Sequence, residues 1–111
     1  MSEKGFIIVT TPHVPGYKVK KVLGLVTGLT PRTRGAGGQL KAGIESMFGG
    51  EVTAYTSEIE KARAEALERM KNRAVEMGAN AVIGLDIETS DVLQGVMVIS
   101  ATGTAVIIEP E

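Results

Sequence analysis

Residues 53–78 read TAYTSEIEKARAEALERMKNRAVEMG, and the period of this stretch decides what the rest of the chain must supply. Tyr55, Ile59, Ala62, Ala66, Met70, Ala74 and Met77 recur at spacings of three and four and so line one face of a long helix. Glu58, Lys61, Glu65, Glu68, Arg69, Lys71 and Glu76 fall on the opposite face, with Glu65 and Arg69 in the favourable order for an i,i+4 ion pair. Ser57 and Glu60 have the spacing of a capping box near the start, and Gly78 suits a left-handed cap at the end. A helix with one apolar stripe needs an apolar layer to lie on.

The flanking sequence supplies that layer. After the helix, Asn80 to Thr89 and Gly95 to Glu109 read as two strands joined as a hairpin across Ser90, Asp91, Val92, Leu93 and Gln94. Ala81, Ile83, Leu85 and Ile87 alternate against Val82 and Gly84. In the last strand Met97, Ile99, Ala101, Ala105 and Ile107 oppose Val96, Val98, Val106 and Ile108. Before the helix, Phe6 to Thr10 is a β-branched run stopped by Thr11-Pro12 and a turn from His13 to Gly16. Tyr17 to Thr27 reads as a second strand, expected antiparallel to the first, with Val19, Leu23 and Leu25 facing away from Lys18, Lys20, Val22 and Val26. Gly28 to Gly38, holding four glycines and Pro31, reads as the one long loop. Leu40, Ile44, Met47 and Phe48 then give a short amphipathic helix ended by Gly49-Gly50.

The order β-β-α-α-β-β makes residues 1–111 a single α+β domain with an antiparallel sheet packed on one long helix. Strands apolar on both sides need cover on both sides, and one long and one short helix cannot provide it. A second subunit is the expected source of the missing cover, so the chain reads as an oligomer.

Composition removes whole classes of function. A chain of 111 residues is too short for separate cofactor and substrate lobes. The absence of cysteine excludes disulfides, a thiolate nucleophile, a zinc ribbon and a protein-held iron–sulfur cluster. The single histidine, His13, excludes a His-rich metal site within one chain. No run approaches the ~18 apolar residues of a membrane span, and the short apolar run at residues 6–9 is no secretory segment, so a cytoplasmic protein is expected. Valine plus isoleucine outnumber leucine three to one, and aromatics are 4%, a stiff core suited to strands. The net charge of −1 conceals an imbalance: residues 1–50 hold seven basic and two acidic side chains, residues 51–111 five and eleven. These charges are either solvated, or a basic face for an anion, or opposite edges that meet between subunits.

The segments Ile7-Ile-Val-Thr-Thr-Pro12, Gly16-Tyr17 and Leu23-Gly-Leu-Val-Thr-Gly28 resemble the opening of the YbjQ-like family, labelled a heavy-metal-binding family. The resemblance continues through Gly49-Gly50, Ala54-Tyr55, Ala62-Arg63, Ala66-Leu67, Met77-Gly-Ala-Asn-Ala-Val-Ile-Gly84 and Ser100-Ala-Thr-Gly-Thr-Ala-Val106, nearly the whole chain. It implies a dodecin-subunit-like fold, assembly into a ring-shaped homopentamer, and no established enzymatic activity. Leu29 stands where that family would place an acidic residue, and the chain offers soft metals neither thiolates nor clustered imidazoles.

The candidate ligand site is Arg32, Arg34, Gly35, Gly37 and Gly38 ahead of the short helix, because backbone N–H groups and two guanidiniums favour a small anion. The same segment also reads as a plain surface loop or a subunit contact. It is neither a P-loop nor a dinucleotide fingerprint, and without interleaved aromatics it does not suit nucleic acid. Asp86, Glu88 and Asp91, with His13, are the candidate ligands for a divalent metal, hard cations preferring carboxylate oxygen. As single-chain features they equally read as a solvated strand end and an exposed turn. Ser100, Thr102 and Thr104 lack the second histidine or general base that a hydrolase triad needs. The short helix lacks the basic density of a membrane-surface helix. The function expected is a non-catalytic homo-oligomeric small-ligand or metal-binding protein with sites between subunits. The alternatives are a metal-dependent enzyme completed at an intersubunit site and a structural or protein-interaction module.

Overall fold

The computed structural model describes residues 5–33, 53–93 and 95–111. Strand β1 is Ile7–Ile8, β2 Tyr17–Thr33, β3 Ala81–Leu93 and β4 Val96–Pro110, and helix α1 is Thr53–Glu76. The strands form one mixed sheet in the order β1-β3-β4-β2, an α+β architecture with α1 lying chiefly against β2 and β4. The expected short helix at residues 40–48 lies outside the described residues.

Helix α1 buries the face that its period predicts, except that Lys71, expected on the polar face, is only 5% exposed. Ala62, Ala66, Met70 and Ala74 are fully buried, while Met77, just past the helix end, is 40% exposed and does not belong to the buried face. The helix begins at Thr53, so Ser57 and Glu60 lie inside it rather than at its start. At the other end Gly78 (φ +93°) donates to the Val75 carbonyl and Ala79 to the Ala74 carbonyl, the paired 5→2 and 6→1 bonds of a Schellman cap. Ala79 is thereby turned into the core.

The first strand departs from expectation. β1 is two residues long, runs parallel to β3 and lies at the opposite edge of the sheet from β2, so the two are not antiparallel neighbours. The reason is that both of its possible sides are decided elsewhere. Ile7 and Val9 donate to the carbonyls of Asn80 and Val82, Leu85 donates back to Val9, and β4 fills the side of β2 that faces the sheet. Residues 9–16 carry the chain from one edge to the other, with Gly84 donating to Thr11.

β2 departs more. Residues 28–33, expected in a loop, continue the strand in unbroken register with β4, from Gly28 opposite Ala101 to Thr33 opposite Val96. Gly28 is there for space rather than for flexibility: a Cβ on it would overlap the Ala66 carbonyl oxygen and the Met70 backbone nitrogen of α1. Pro31 is tolerated because β2 is the edge strand among the described residues, where an N–H can be absent without breaking the ladder. The hairpin is tighter than expected too, since β3 runs on through residues 90–93 and Gly95 (φ +78°) supplies the turn.

Bulges correct the expected alternation. In β3, residues 84 and 85 oppose the single residue Gly103, and Gly84 takes φ +65°. Ala81 and Ile83 therefore pack on one side of the sheet, while Leu85 and Ile87 cross to the other and join Val82. In β2, shifts between Val19 and Lys21 and between Val22 and Gly24 put Val19, Val22 and Leu25 on one face, and Leu23 and Val26 on the other. The core proper lies between α1 and the sheet, formed by Val26, Met70, Val82, Ile99, Ala101 and Ala105 with the helix alanines. Met70, Val82 and Ile99 are fully buried, each contributing about 1.5–3 kcal/mol relative to exposure.

Candidate functional site

Two regions of the fold collect the chemistry: the sheet face turned away from α1, and the rim where α1 meets β2.

Directly paired residues of an antiparallel ladder share a face, so the register assigns the first region. On β4 it holds Ser100, Thr102 and Thr104, opposite Leu29, Thr27 and Leu25 of β2 on one side. On the other side are Glu88 opposite Ser100, Asp86 opposite Thr102 and Ile83 opposite Thr104. Its lower end is closed by Ala81, Val106 and Ile108, buried with Ile7, Val14 and Ile83. Along β2 it is open: Tyr17, Val19, Val22, Leu25 and Leu29 are 37, 39, 61, 72 and 47% exposed, and all five pair with β4 residues of this one face. The expectation that both faces are apolar therefore holds at the lower end and along β2, whereas the middle is a band of hydroxyls and two carboxylates.

Asn80 ties that lower end together. Its side-chain amide donates to the Ile108 carbonyl at 2.9 Å and its Oδ1 accepts from the Ile108 N–H at 2.8 Å, so the side chain imitates a paired strand residue. At the far end of the first strand, the Lys71 ammonium lies 5.7 Å from the Phe6 ring centroid, a cation–π contact on a lysine only 5% exposed.

The rim is ionic. Arg32 reaches α1, with Nη2 2.8 Å from Glu65 Oε2 and Nε 3.5 Å from Glu58 Oε1. Glu65 Oε1 is also 3.9 Å from Arg69, the i,i+4 pair read from the sequence. The hydrogen bond from Arg32 holds the Glu65 carboxyl below its usual range and raises Arg32 further above its own. Arg69 and Arg73 donate to the carbonyls of Leu29 and Thr27 at 2.6 and 2.8 Å. Thr30, fully buried between Gly28 and Arg32 in sequence, has no hydrogen-bond partner for Oγ1 among the described residues.

Of the residues proposed for an anion site, Arg32 is in β2 and engaged by two carboxylates of its own chain, while Arg34, Gly35, Gly37 and Gly38 lie outside the described residues. Of the proposed metal ligands, Asp86 and Glu88 share the open face, exposed, two residues apart on β3. Asp91 pairs with Met97 and so belongs to the α1 side of the sheet. His13 sits in the exposed turn, its carbonyl accepting from Thr11 Oγ1 at 2.7 Å. Among the described residues no three of His, Cys, Asp and Glu group closely enough to hold a metal ion. The imbalance of charge between the two halves resolves partly within the chain: Arg32 meets Glu58 and Glu65, and Lys18 lies 4.0 Å from Glu109. Sequence periodicity does not single out Arg73; its signals are its spacing of four from Arg69 and its basic charge in the last turn of the helix.

The family described as "Putative heavy-metal-binding", YbjQ, matches residues 6–109. The chain belongs to the YbjQ-like family. Its relatives include UPF0145 proteins of Methanocella arvoryzae, 49% identical over 95% of this chain and 88% of that protein. Another, from Methanothermobacter thermautotrophicus, is 48% identical over 95% and 92%, and one from Hahella chejuensis 47% identical over 93% and 99%. Among solved structures, a protein of unknown function of the DUF74 family from Pediococcus pentosaceus superposes with a TM-score of 0.63. At 19% identity over 96% of this chain and 100% of that one, it shares the fold. No described helix of this YbjQ-like chain is long and apolar enough to cross a membrane.

Proposed function

We propose that this YbjQ-like chain is a non-catalytic cytoplasmic protein that assembles as a homopentameric ring of dodecin-subunit-like protomers and binds a small ligand or metal between subunits. One observation carries the reading: five large apolar side chains of β2 stand exposed in a row on the sheet face that α1 leaves uncovered. An exposed apolar row of this kind marks an interaction surface, and in a ring, whose interfaces are heterologous, it would pack on a different apolar patch of the neighbouring copy. The polar band beside the row, Asp86, Glu88, Ser100 and Thr102, would then be brought against the same groups or against His13 of neighbouring copies, completing a cation site that one chain lacks. The family's description as heavy-metal-binding supports a metal as the ligand. The chain's oxygen donors favour a hard divalent cation over a soft one. Arg34, Gly35, Gly37 and Gly38 remain the candidates for holding an anionic ligand. One histidine and no cysteine leave little catalytic inventory, which favours binding over catalysis.

Native mass spectrometry of the tag-free protein tests the reading. The expected spectrum is a pentamer that Leu25→Asp converts to monomer, with an extra metal mass retained by the wild type and lost from Asp86→Asn/Glu88→Gln. A monomeric wild type at micromolar concentration overturns the assembly. A pentamer that takes up no divalent cation on titration with magnesium, manganese or zinc overturns the metal site alone.

A further inference from the structure

We propose that Arg69 and Arg73 are guards of an open sheet edge, closing the distal half of β2 to the addition of another strand. This inference does not depend on the proposed assembly or ligand.

β2 is the terminal strand of the sheet among the described residues, so alternate residues direct both backbone groups away from β4. Pro31 identifies which ones. It has no N–H to give to β4, yet the register continues through it, so position 31 belongs to the outward set, and with it Leu29, Thr27 and Leu25. The carbonyls that accept from Arg69 and Arg73 are those of Leu29 and Thr27, two consecutive members of this set. Three successive outward positions are thus blunted: Leu29 and Thr27 by a helix guanidinium on the carbonyl, and Pro31 by a missing donor and a carbonyl that accepts from Arg32 Nη1 at 3.3 Å.

The geometry that allows this is a match of two repeats. Four residues of helix rise about 6.0 Å, and two residues of antiparallel strand about 6.8 Å. A helix antiparallel to a strand can therefore set arginines at i and i+4 on carbonyls at j and j−2. Arg69 to Leu29 and Arg73 to Thr27 are two such rungs; at the next, Pro31, the carbonyl accepts from Arg32, whose guanidinium is in turn held by Glu65 one helical turn earlier. The proximal half of the same edge is handled by other means: Lys18, Lys20 and Lys21 are exposed there, and two bulges interrupt it. Without its guards the distal half would be a strand edge carrying Leu25 and Leu29, both exposed.

The test is the double variant Arg69→Ala/Arg73→Ala, held well below its unfolding temperature and shown to be folded by circular dichroism. Thioflavin T fluorescence and light scattering should rise at least tenfold over wild type at equal concentration. The change also makes the protein more negative, which by itself opposes association. Adding Thr27→Pro removes an outward N–H without touching the β4 ladder and should return both signals towards wild type, whereas Thr27→Ala should not. No rise in the double variant overturns the proposal. So does a rise that Thr27→Pro leaves in place, which would trace it to general destabilisation, and so does one that Thr27→Ala suppresses equally, which would trace it to the Thr27 side chain rather than to the edge N–H. Should the double variant fail to fold, each single variant carries the test, expected to show a smaller rise with the same proline-specific rescue.

Discussion

Replacing Gly28 with alanine should destabilise the protein, and the sign of the effect is what makes the experiment informative. Gly28 does not adopt a positive φ, so strand backbone alone permits a side chain there. If nothing lay over it, Gly28→Ala would stabilise by about 0.4–1 kcal/mol through the unfolded state. The structure instead puts the new Cβ into the backbone of α1, overlapping Ala66 O and Met70 N and 3.0 Å from Met70 Cα. These are main-chain atoms that cannot rotate aside, so the helix must lift and loosen its contacts with Val26 and Ile99, and the cost should reach the upper part of the overpacking range, about 3 kcal/mol. With an unfolding entropy of about 2.1 cal/mol/K per residue, the chain's 111 residues give roughly 0.23 kcal/mol/K, so Tm should fall by about 13 °C. Thermal unfolding followed at 222 nm, repeated over a hundredfold range of protein concentration to separate folding from association, measures this. A Tm equal to or above that of wild type would refute the close seating of α1 on β2 and with it the burial of Ala66 and Met70.

Asn80→Ala removes both hydrogen bonds to the Ile108 backbone and should cost about 1–3 kcal/mol, read from urea denaturation, with faster amide exchange at Ile108; Asn80→Asp keeps the acceptor and should lose less. The Arg32–Glu65 pair predicts an acid-side dependence. Because Arg32 lowers the Glu65 pKa in the folded state, the pair's contribution is fully present above the ordinary carboxylate pKa and is lost as pH falls through the lowered folded value. The midpoint difference between wild type and Glu65→Gln should therefore shrink as the pH is taken below the ordinary carboxylate range; a difference that stays constant or widens there would show that Glu65 does not titrate against Arg32.

Much of the fold is written in local patterns. The three- and four-residue spacing from Ile59 to Ala74 gives α1 and its buried face, and Gly78 its Schellman end, because helix period and C-cap chemistry involve only near neighbours. The alternation of β4 is legible for the same reason: no bulge lies within it, and Met97, Ile99, Ala101 and Ala105 all reach the helix side. The candidate site was legible only in part. Asp86 and Glu88 share a face as their spacing of two requires, but Asp91, at an odd separation from both, falls on the other side of the sheet.

What only the tertiary structure decided involves partners distant in sequence. Residues 28–33 carry the glycine and proline of a loop, yet they are strand, because Gly28 is the one residue that leaves room for α1 and Pro31 lies where the sheet asks for no N–H. β1 pairs with β3 rather than β2 because short strands are placed by the free backbone groups they find, and those lie near Asn80 and Val82. The bulge at Gly84 parts Ile83 from Leu85, which strict alternation would keep on one face, and sends Leu85 to the helix side, a choice made by the two-against-one pairing with Gly103. Arg69 and Arg73 look like ordinary solvated helix residues until β2 is laid beside them and the repeat of a helix turn meets the repeat of a strand. Periodicity is a property of the chain; who stands opposite is a property of the fold.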